Sequence, residues 1–112
     1  MSGSGSSSGS VAGRKDDEGK LRWDLVPWRE LEDVVGVLTY GEDKYGAHNW
    51  KTVASAQDRY FAAALRHLSD WRRGEKLDPE SDLPHLAHAA CSLLFLAWFD
   101  NRAEESKGSP HE

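Results

Sequence analysis

The amino-acid sequence predicts an all-α fold, a helical bundle formed by a single domain. Apolar residues recur at helical spacing in three segments, and neither an alternating β-branched run nor an Asn-Gly hairpin signal occurs. The stretch LPHLAHAACSLLFLAWF, residues 83–99, is apolar nearly all round. Such a helix is expected to be surrounded by other elements. We therefore expect three helices, the third at the centre of a bundle or at a subunit interface.

The first predicted helix opens at Pro27, because proline suits the opening turn of a helix. We expect it to end by Gly41. The stretch 41–50, GEDKYGAHNW, contains two glycines and an asparagine without helical periodicity, and it predicts a structured loop. The apolar face of this helix consists of Leu31, Val34, Val35 and Leu38.

The second predicted helix starts at Ser55, with Asp58 three residues on, and reaches about Arg73 before Gly74 stops it. Its expected buried stripe consists of Phe61, Leu65 and Leu68. A helical wheel centred on that stripe places His67 at the border of the core and Asp70 nearly opposite it.

We expect residues 74–82, GEKLDPESD, to form an acidic connector, and Pro84 then opens the third helix. On that helix His85, His88 and Ser92 share one face and form a polar seam on an otherwise apolar cylinder. Two interpretations remain open: buried histidines that are hydrogen-bonded to neighbouring acids, or ligands of a metal ion or phosphate.

Length and composition predict a Gly/Ser-rich leader over residues 1–15, a helical domain over residues 16–101 and a polar tail over residues 102–112. A core of roughly eighty residues leaves much apolar surface uncovered. Because the chain also carries five tryptophans, we expect a homo-oligomer, a dimer or a tetramer.

The formal net charge is −5, which disfavours nucleic acid as a partner. The one cysteine, Cys91, lies within the apolar run and is expected to be a small buried hydrophobe in a reducing compartment. The run from Ala89 to Phe99 is too short to span a bilayer, and the first residues lack the charged-then-apolar order expected of a signal peptide. We expect no membrane association and a cytoplasmic location, in the host cell if a phage encodes the protein.

Acidic and imidazole side chains from three segments predict a divalent-cation site for Mg²⁺ or Mn²⁺. Glu32 is included because Gly36 and Thr39 follow it on the same helical face and leave room for a ligand. The candidate metal ligands are Glu32, His67, Asp70, Glu75, Asp78, Glu80, His85 and His88.

Two segments that combine cations with aromatic rings, GKLRWDLVPW and KYGAHNW, predict a nucleotide pocket, since cations suit phosphates and flat rings suit a base. The alternative is aromatic cladding of a small core, with cations at its edge. With Arg66 added, the candidate substrate-binding residues are Lys20, Arg22, Trp23, Asp24, Trp28, Lys44, Tyr45, Asn49, Trp50 and Arg66.

The stretches KLRWDLVPW, LTYGEDKYGAHNW and RYFAAALRHLSDWRRGEKLDPESDLPHLAHAACSLLFL together resemble the phage and bacterial dATP/dGTP diphosphohydrolases. These are relatives of the MazG-like all-α nucleoside triphosphate pyrophosphohydrolases, and within them the chain is similar to the phage MazZ-type dGTP enzymes. The resemblance implies a MazG-like helical bundle, completed by oligomerisation. It also implies hydrolysis of a purine (deoxy)nucleoside triphosphate, preferably dGTP or GTP, to the monophosphate and pyrophosphate with Mg²⁺ or Mn²⁺.

The superfamily binds its metals through E-x-x-E and E-x-x-D, whereas this chain has His67-x-x-Asp70 and His85-x-x-His88 at comparable spacing. The site expected under the resemblance places Lys44 and Arg66 on the outer phosphates. Three tryptophans would hold the base, and Asp24 and Asn49 would read its edge. The expected catalytic residues are Glu32, His67, Glu80 and His85. The alternatives are a non-catalytic nucleotide-binding helical module and a structural helical oligomer.

Overall fold

The computed structural model describes residues 19–107, and within them the predicted all-α fold is confirmed. Three helices form this described part of the chain: α1 (Trp28–Tyr45), α2 (Ala56–Arg72) and α3 (His85–Lys107). Two 3₁₀ turns accompany them, at Trp23–Leu25 and Asn49–Thr52. Among the described residues no strand forms, and one isolated β-bridge joins Leu77 to Pro84.

Helix α1 begins directly after Pro27, as predicted, but the expected end at Gly41 is wrong. A single glycine inside a helix costs only about 1 kcal/mol relative to alanine, so the helix continues through it to Tyr45. It ends at Gly46, whose φ of 94° is a backbone conformation that glycine adopts readily. The first half of the predicted loop 41–50 is therefore helical.

The core between α1 and α3 is formed by Val34 and Val37 against Ala87 and Cys91. Leu31, Leu83, Ala90 and Phe95 pack around this cluster. The predicted apolar face of α1 is correct only in part, since Val35 and Leu38 are exposed and Val37 is buried in their place. The buried face is therefore rotated from the predicted one.

Helix α2 lies between Ser55 and Arg73, as predicted. Its predicted buried stripe is wrong: Phe61 and Leu65 are 58% and 50% exposed, and Leu68 is also exposed. Ala56 and Ala64 are buried instead. Tyr60 and His67, which lie on the same side of α2 as Ala64, contact α3. Small side chains such as Ala64 allow two helices to approach closely.

Helix α3 contacts both α1 and α2, which confirms its predicted central place. It continues to Lys107 and so includes residues 102–107 of the predicted tail, whereas the predicted leader lies outside the described residues. An aromatic cluster lies along its later turns and consists of Trp50, Tyr60, Phe95, Trp98 and Phe99. None of the described helices is long and apolar enough to cross a membrane.

Candidate functional site

The acidic connector folds back against the first turn of α3 through its backbone. The N–H of Glu75 donates to Asp70 O at 3.0 Å, and the N–H of His85 donates to Lys76 O at 2.9 Å. Farther along, the N–H of Asp78 donates to Leu83 O at 2.8 Å. These bonds hold the connector carboxylates beside the histidines of α2 and α3.

His85 is only 1% exposed, and both of its ring nitrogens have partners. Its Nε2 lies 2.7 Å from Oε1 of Glu75, and its Nδ1 lies 2.9 Å from Nδ1 of His67. A buried imidazole needs such partners, because an unsatisfied polar group in a core is costly. This arrangement agrees with the interpretation of buried histidines bonded to neighbouring acids.

Asp70, Glu75 and His85 form a cluster whose potential ligand atoms all lie within 4.8 Å of one another. Two carboxylates and one imidazole are a donor set that suits Mn²⁺, and carboxylates also suit Mg²⁺. Asp70 additionally pairs with Arg73 at 2.9 Å. The helical wheel placed Asp70 opposite the core because it was centred on the wrong arc of α2.

A second polar cluster surrounds His88. Its Nε2 lies 2.7 Å from Oγ of Ser81 and 3.5 Å from Oδ2 of Asp78. The Ser81 hydroxyl donates to Asp78 at 3.2 Å and accepts the backbone N–H of Leu83 at 3.2 Å. Ser81, which was not among the predicted site residues, therefore ties the connector to this histidine.

His67 stands between the two clusters. Its ring stacks on that of His88, with centroids 4.6 Å apart and planes 14° from parallel. Burial, together with the neighbouring His88 and His85, lowers the pKa of His67 to about 4. Burial also lowers the pKa of His88, although the Asp78 carboxylate opposes that shift. Both imidazoles are therefore neutral at neutral pH.

A cavity of about 1080 Å³ opens between the C-terminal half of α1, the 3₁₀ turn at Asn49–Thr52, α2 and α3. Small-molecule sites are typically clefts of roughly 300–1,000 Å³. Nine of the predicted site residues line it: Lys44, Tyr45, Asn49, Trp50, Arg66, His67, Asp78, Glu80 and His88. Cys91 also lines it, and burial raises the pKa of its thiol to about 11, which keeps it protonated as a small hydrophobe.

An ion pair between Lys44 and Glu80 joins α1 to the connector at the cavity wall. Glu80 raises the pKa of Lys44, and Lys44 lowers the pKa of Glu80, because each stabilises the charged form of the other. The Glu80 side chain is 60% exposed and that of Lys44 is 37% exposed, so either can exchange its partner for a charged ligand at little cost.

Six predicted site residues lie neither at the cavity nor in the cluster of Asp70, Glu75 and His85. They are Lys20, Arg22, Trp23, Asp24, Trp28 and Glu32. Both carboxylate oxygens of Asp24 accept from Arg22, at 2.8 and 2.7 Å. The space that Gly36 was expected to leave beside Glu32 is occupied by Leu83, which would lie 3.6 Å from a Cβ at Gly36.

Trp50 lines the cavity but is also a core residue, since one face of its ring stacks on Phe95 at 4.3 Å. For this ring the structure agrees with aromatic cladding of the core.

Arg59, Tyr60 and Tyr40 also line the cavity and were not predicted. The signal for Arg59 was present, because it precedes Arg66 by seven residues and so shares its helical face.

Comparison with known proteins relates the chain to one family. Residues 10–108 match the family described as dATP/dGTP diphosphohydrolase, N-terminal. A protein of Salmonella phage PMBT28, named dATP/dGTP diphosphohydrolase, is 36% identical over 96 residues, which cover 86% of this chain and 32% of the phage protein. The chain thus spans about a third of the length of that relative. No solved structure matches. The chain belongs to the dATP/dGTP diphosphohydrolase family and corresponds to its N-terminal domain.

Proposed function

We propose that the chain is a metal-dependent pyrophosphohydrolase that cleaves a purine nucleoside triphosphate to the monophosphate and pyrophosphate. The observation that carries this proposal is a cavity lined by three cations, Lys44, Arg59 and Arg66. His67 lines the same cavity and is hydrogen-bonded to His85 of the cluster that Asp70, Glu75 and His85 form. The name of the phage relative, a dATP/dGTP diphosphohydrolase, agrees with it.

The triphosphate is proposed to bind Lys44, Arg59 and Arg66, which line the cavity from α1 and α2. Within the described residues Arg59 and Arg66 form no ion pair with an acid, so their charge is available to an anion. Guanidinium groups bind phosphate oxygens in pairs and remain charged at every physiological pH.

Asp70, Glu75 and His85 are the residues proposed to hold a divalent cation, which would neutralise phosphate charge and lower the pKa of a water molecule. Asp78 and Glu80 line the cavity and are proposed to accept the proton of the attacking water.

The base is proposed to lie at the aromatic end of the cavity, near Asn49 and Tyr60. The Asn49 amide offers an acceptor for the N1–H and 2-amino donors of guanine, which adenine lacks, and this supports dGTP or GTP as the preferred substrate. Asp24, which offered the same chemistry in the sequence, does not line the cavity.

A second copy of this chain is the proposed partner. Phe61, Leu65 and Leu68 form an exposed apolar stripe on α2, and Leu93 and Leu94 are exposed on α3. These faces belong to the two helices that pack most extensively on each other, and an exposed patch of this kind marks an interface. The proposed assembly is a dimer or a tetramer in the cytoplasm, where nucleoside triphosphates are made and used.

The experiment that tests this function is incubation of the chain with each of the four dNTPs and Mg²⁺ or Mn²⁺. We expect monophosphate and pyrophosphate, formed fastest from a purine substrate. Release of orthophosphate would contradict the proposal. Thermal stabilisation by dGTP without pyrophosphate release would instead support a non-catalytic nucleotide-binding module.

A further inference from the structure

The two closest ring nitrogens in the site are both Nδ1 atoms, those of His67 and His85, at 2.9 Å. A neutral imidazole carries one N–H and one lone pair, so one of these atoms donates and the other accepts. The other ring nitrogen of His85, Nε2, determines which of the two atoms donates. This atom lies 2.7 Å from a carboxylate oxygen of Glu75 and must donate to it.

The hydrogen bonds therefore fix both tautomers. With its proton on Nε2, His85 has a lone pair on Nδ1 and accepts from Nδ1–H of His67. His67 then has its own lone pair on Nε2. Since His67 lines the cavity, this tautomer leaves an acceptor on an imidazole of the cavity wall.

A cation on Asp70, Glu75 and His85 requires the opposite arrangement, because a ligating nitrogen must offer a lone pair. If Nε2 of His85 is the ligand, its proton must be on Nδ1, and a buried Nδ1–H needs an acceptor. The atom within reach is Nδ1 of His67. Histidines that bind metals usually donate their second ring N–H to such a partner, which fixes the orientation of the ring.

We propose that His67 is a positioning residue for cation binding, because its Nδ1 can pass one proton to Nδ1 of His85 and so free Nε2 of His85 to act as a ligand. The proton count balances within the pair. The Nε2 proton of His85 passes to solvent as the cation binds, the Nδ1 proton of His67 passes to Nδ1 of His85, and His67 takes one proton from solvent on Nε2. At Nε2, His67 thereby changes from an acceptor to a donor.

This inference rests on the proposed cation site, and it is tested by cation affinity rather than by turnover. Mn²⁺ binding to the full chain is measured by electron paramagnetic resonance near neutral pH. We expect His67→Ala to weaken Mn²⁺ binding by about 10-fold to 100-fold, the usual cost of removing such a partner. Ser69→Ala, an exposed change on the same helix, is the matched control and should bind as the wild type does.

Two further variants separate positioning from loss of structure. The amide of asparagine reaches about as far as Nδ1 of histidine, whereas that of glutamine reaches about as far as Nε2. His67→Asn should therefore retain Mn²⁺ affinity, whereas His67→Gln should lose it as His67→Ala does. If the alanine variant fails to fold, the comparison of asparagine with glutamine still tests the positioning role.

A spectroscopic measurement reads the tautomers directly. In ¹⁵N spectra of the imidazoles without cations, we expect the Nε2–H tautomer for His85 and the Nδ1–H tautomer for His67. Mg²⁺, which is diamagnetic, should exchange the two. If Mn²⁺ binds the wild type and all three His67 variants equally, or if Mg²⁺ binds and leaves the tautomers unchanged, the inference is overturned while the proposed function stands. If the wild type binds neither ion, the proposed cation site fails, and this inference fails with it.

Discussion

The imidazole rings of His67 and His88 lie face to face, with centroids 4.6 Å apart and planes 14° from parallel. Two positive charges at this distance would repel each other, and burial penalises the charged form of each ring further. The fold therefore requires both rings to be neutral. That requirement gives the stability of the chain a defined dependence on pH.

Unfolding should become easier as the pH falls below about 6.5, the ordinary pKa of histidine. In the folded chain the pKa of His67 is lowered to about 4, so between these values the unfolded chain binds a proton that the folded chain does not. Stability is therefore fully present above the unfolded pKa and is lost as the pH falls. We expect a loss of up to about 2 kcal/mol between about pH 7.5 and pH 5.

Urea unfolding without divalent cations measures this loss, and a lower limit near pH 5 avoids most carboxylate titration. His67→Asn, which removes the titrating group, should lose markedly less stability over the same range. An equal loss in both proteins would show that His67 is not responsible.

Arg59→Gln and Arg66→Gln should each raise the KM for the triphosphate by about tenfold, which corresponds to about 1.4 kcal/mol of binding energy. Both arginines line the cavity from α2. The matched control is Arg72→Gln, in the exposed last turn of the same helix, and it should leave KM unchanged. Steady-state kinetics with dGTP measure KM for each variant. If Arg72→Gln raised KM as much as Arg59→Gln, the assignment of Arg59 to triphosphate binding would be wrong.

Gly36→Ala should stabilise the chain by about 0.5–1 kcal/mol, because alanine favours the helix. The added Cβ would lie 3.6 Å from Cδ2 of Leu83, an ordinary contact. Turnover should be unchanged, since Leu83 already occupies this space. Thermal unfolding and kinetics test both parts. A stable variant that has lost turnover would instead favour the ligand site that the sequence predicted beside Glu32.

Leu65→Glu should dissociate the oligomer into monomers. Leu65 is half-exposed within the apolar stripe of α2, and a carboxylate there would be costly to bury in an interface. Light scattering after size-exclusion chromatography gives the mass. Gln57→Glu adds the same charge to an exposed position of the same helix and should leave the mass unchanged. A monomeric wild type would contradict the proposed assembly outright.

The number, order and type of the helices could be predicted from the sequence, because periodicity and turn residues act locally. Which face each helix buries could not. The stripe Phe61, Leu65 and Leu68 is the more apolar face of α2, yet the alanine face allows the closer approach to α3. Because the helical wheel was centred on that stripe, it placed Asp70 on the side of α2 opposite the core.

The candidate site could likewise be predicted only in part. A short acidic segment leads directly into the start of α3, and the sequence therefore placed its last acids, Glu80 and Asp82, nearest to His85. In the structure Glu75 is bonded to His85 instead, and Glu80 pairs with Lys44. The hydrogen bond between Ser81 and His88 depends on a backbone reversal in the connector, which no local sequence pattern predicts. Residues before α1 and at its start, such as Trp23 and Trp28, carry suitable chemistry but lie outside the cavity, because composition does not specify position.

The position of water attack tests the central claim most directly. The full chain is incubated with dGTP and Mn²⁺ in ¹⁸O-water, and the products are resolved by ³¹P NMR and mass spectrometry. Attack at the α-phosphorus places the label in dGMP and leaves the pyrophosphate unlabelled, which is the result we expect. Label in pyrophosphate or orthophosphate, or unchanged dGTP under all conditions, would contradict the account.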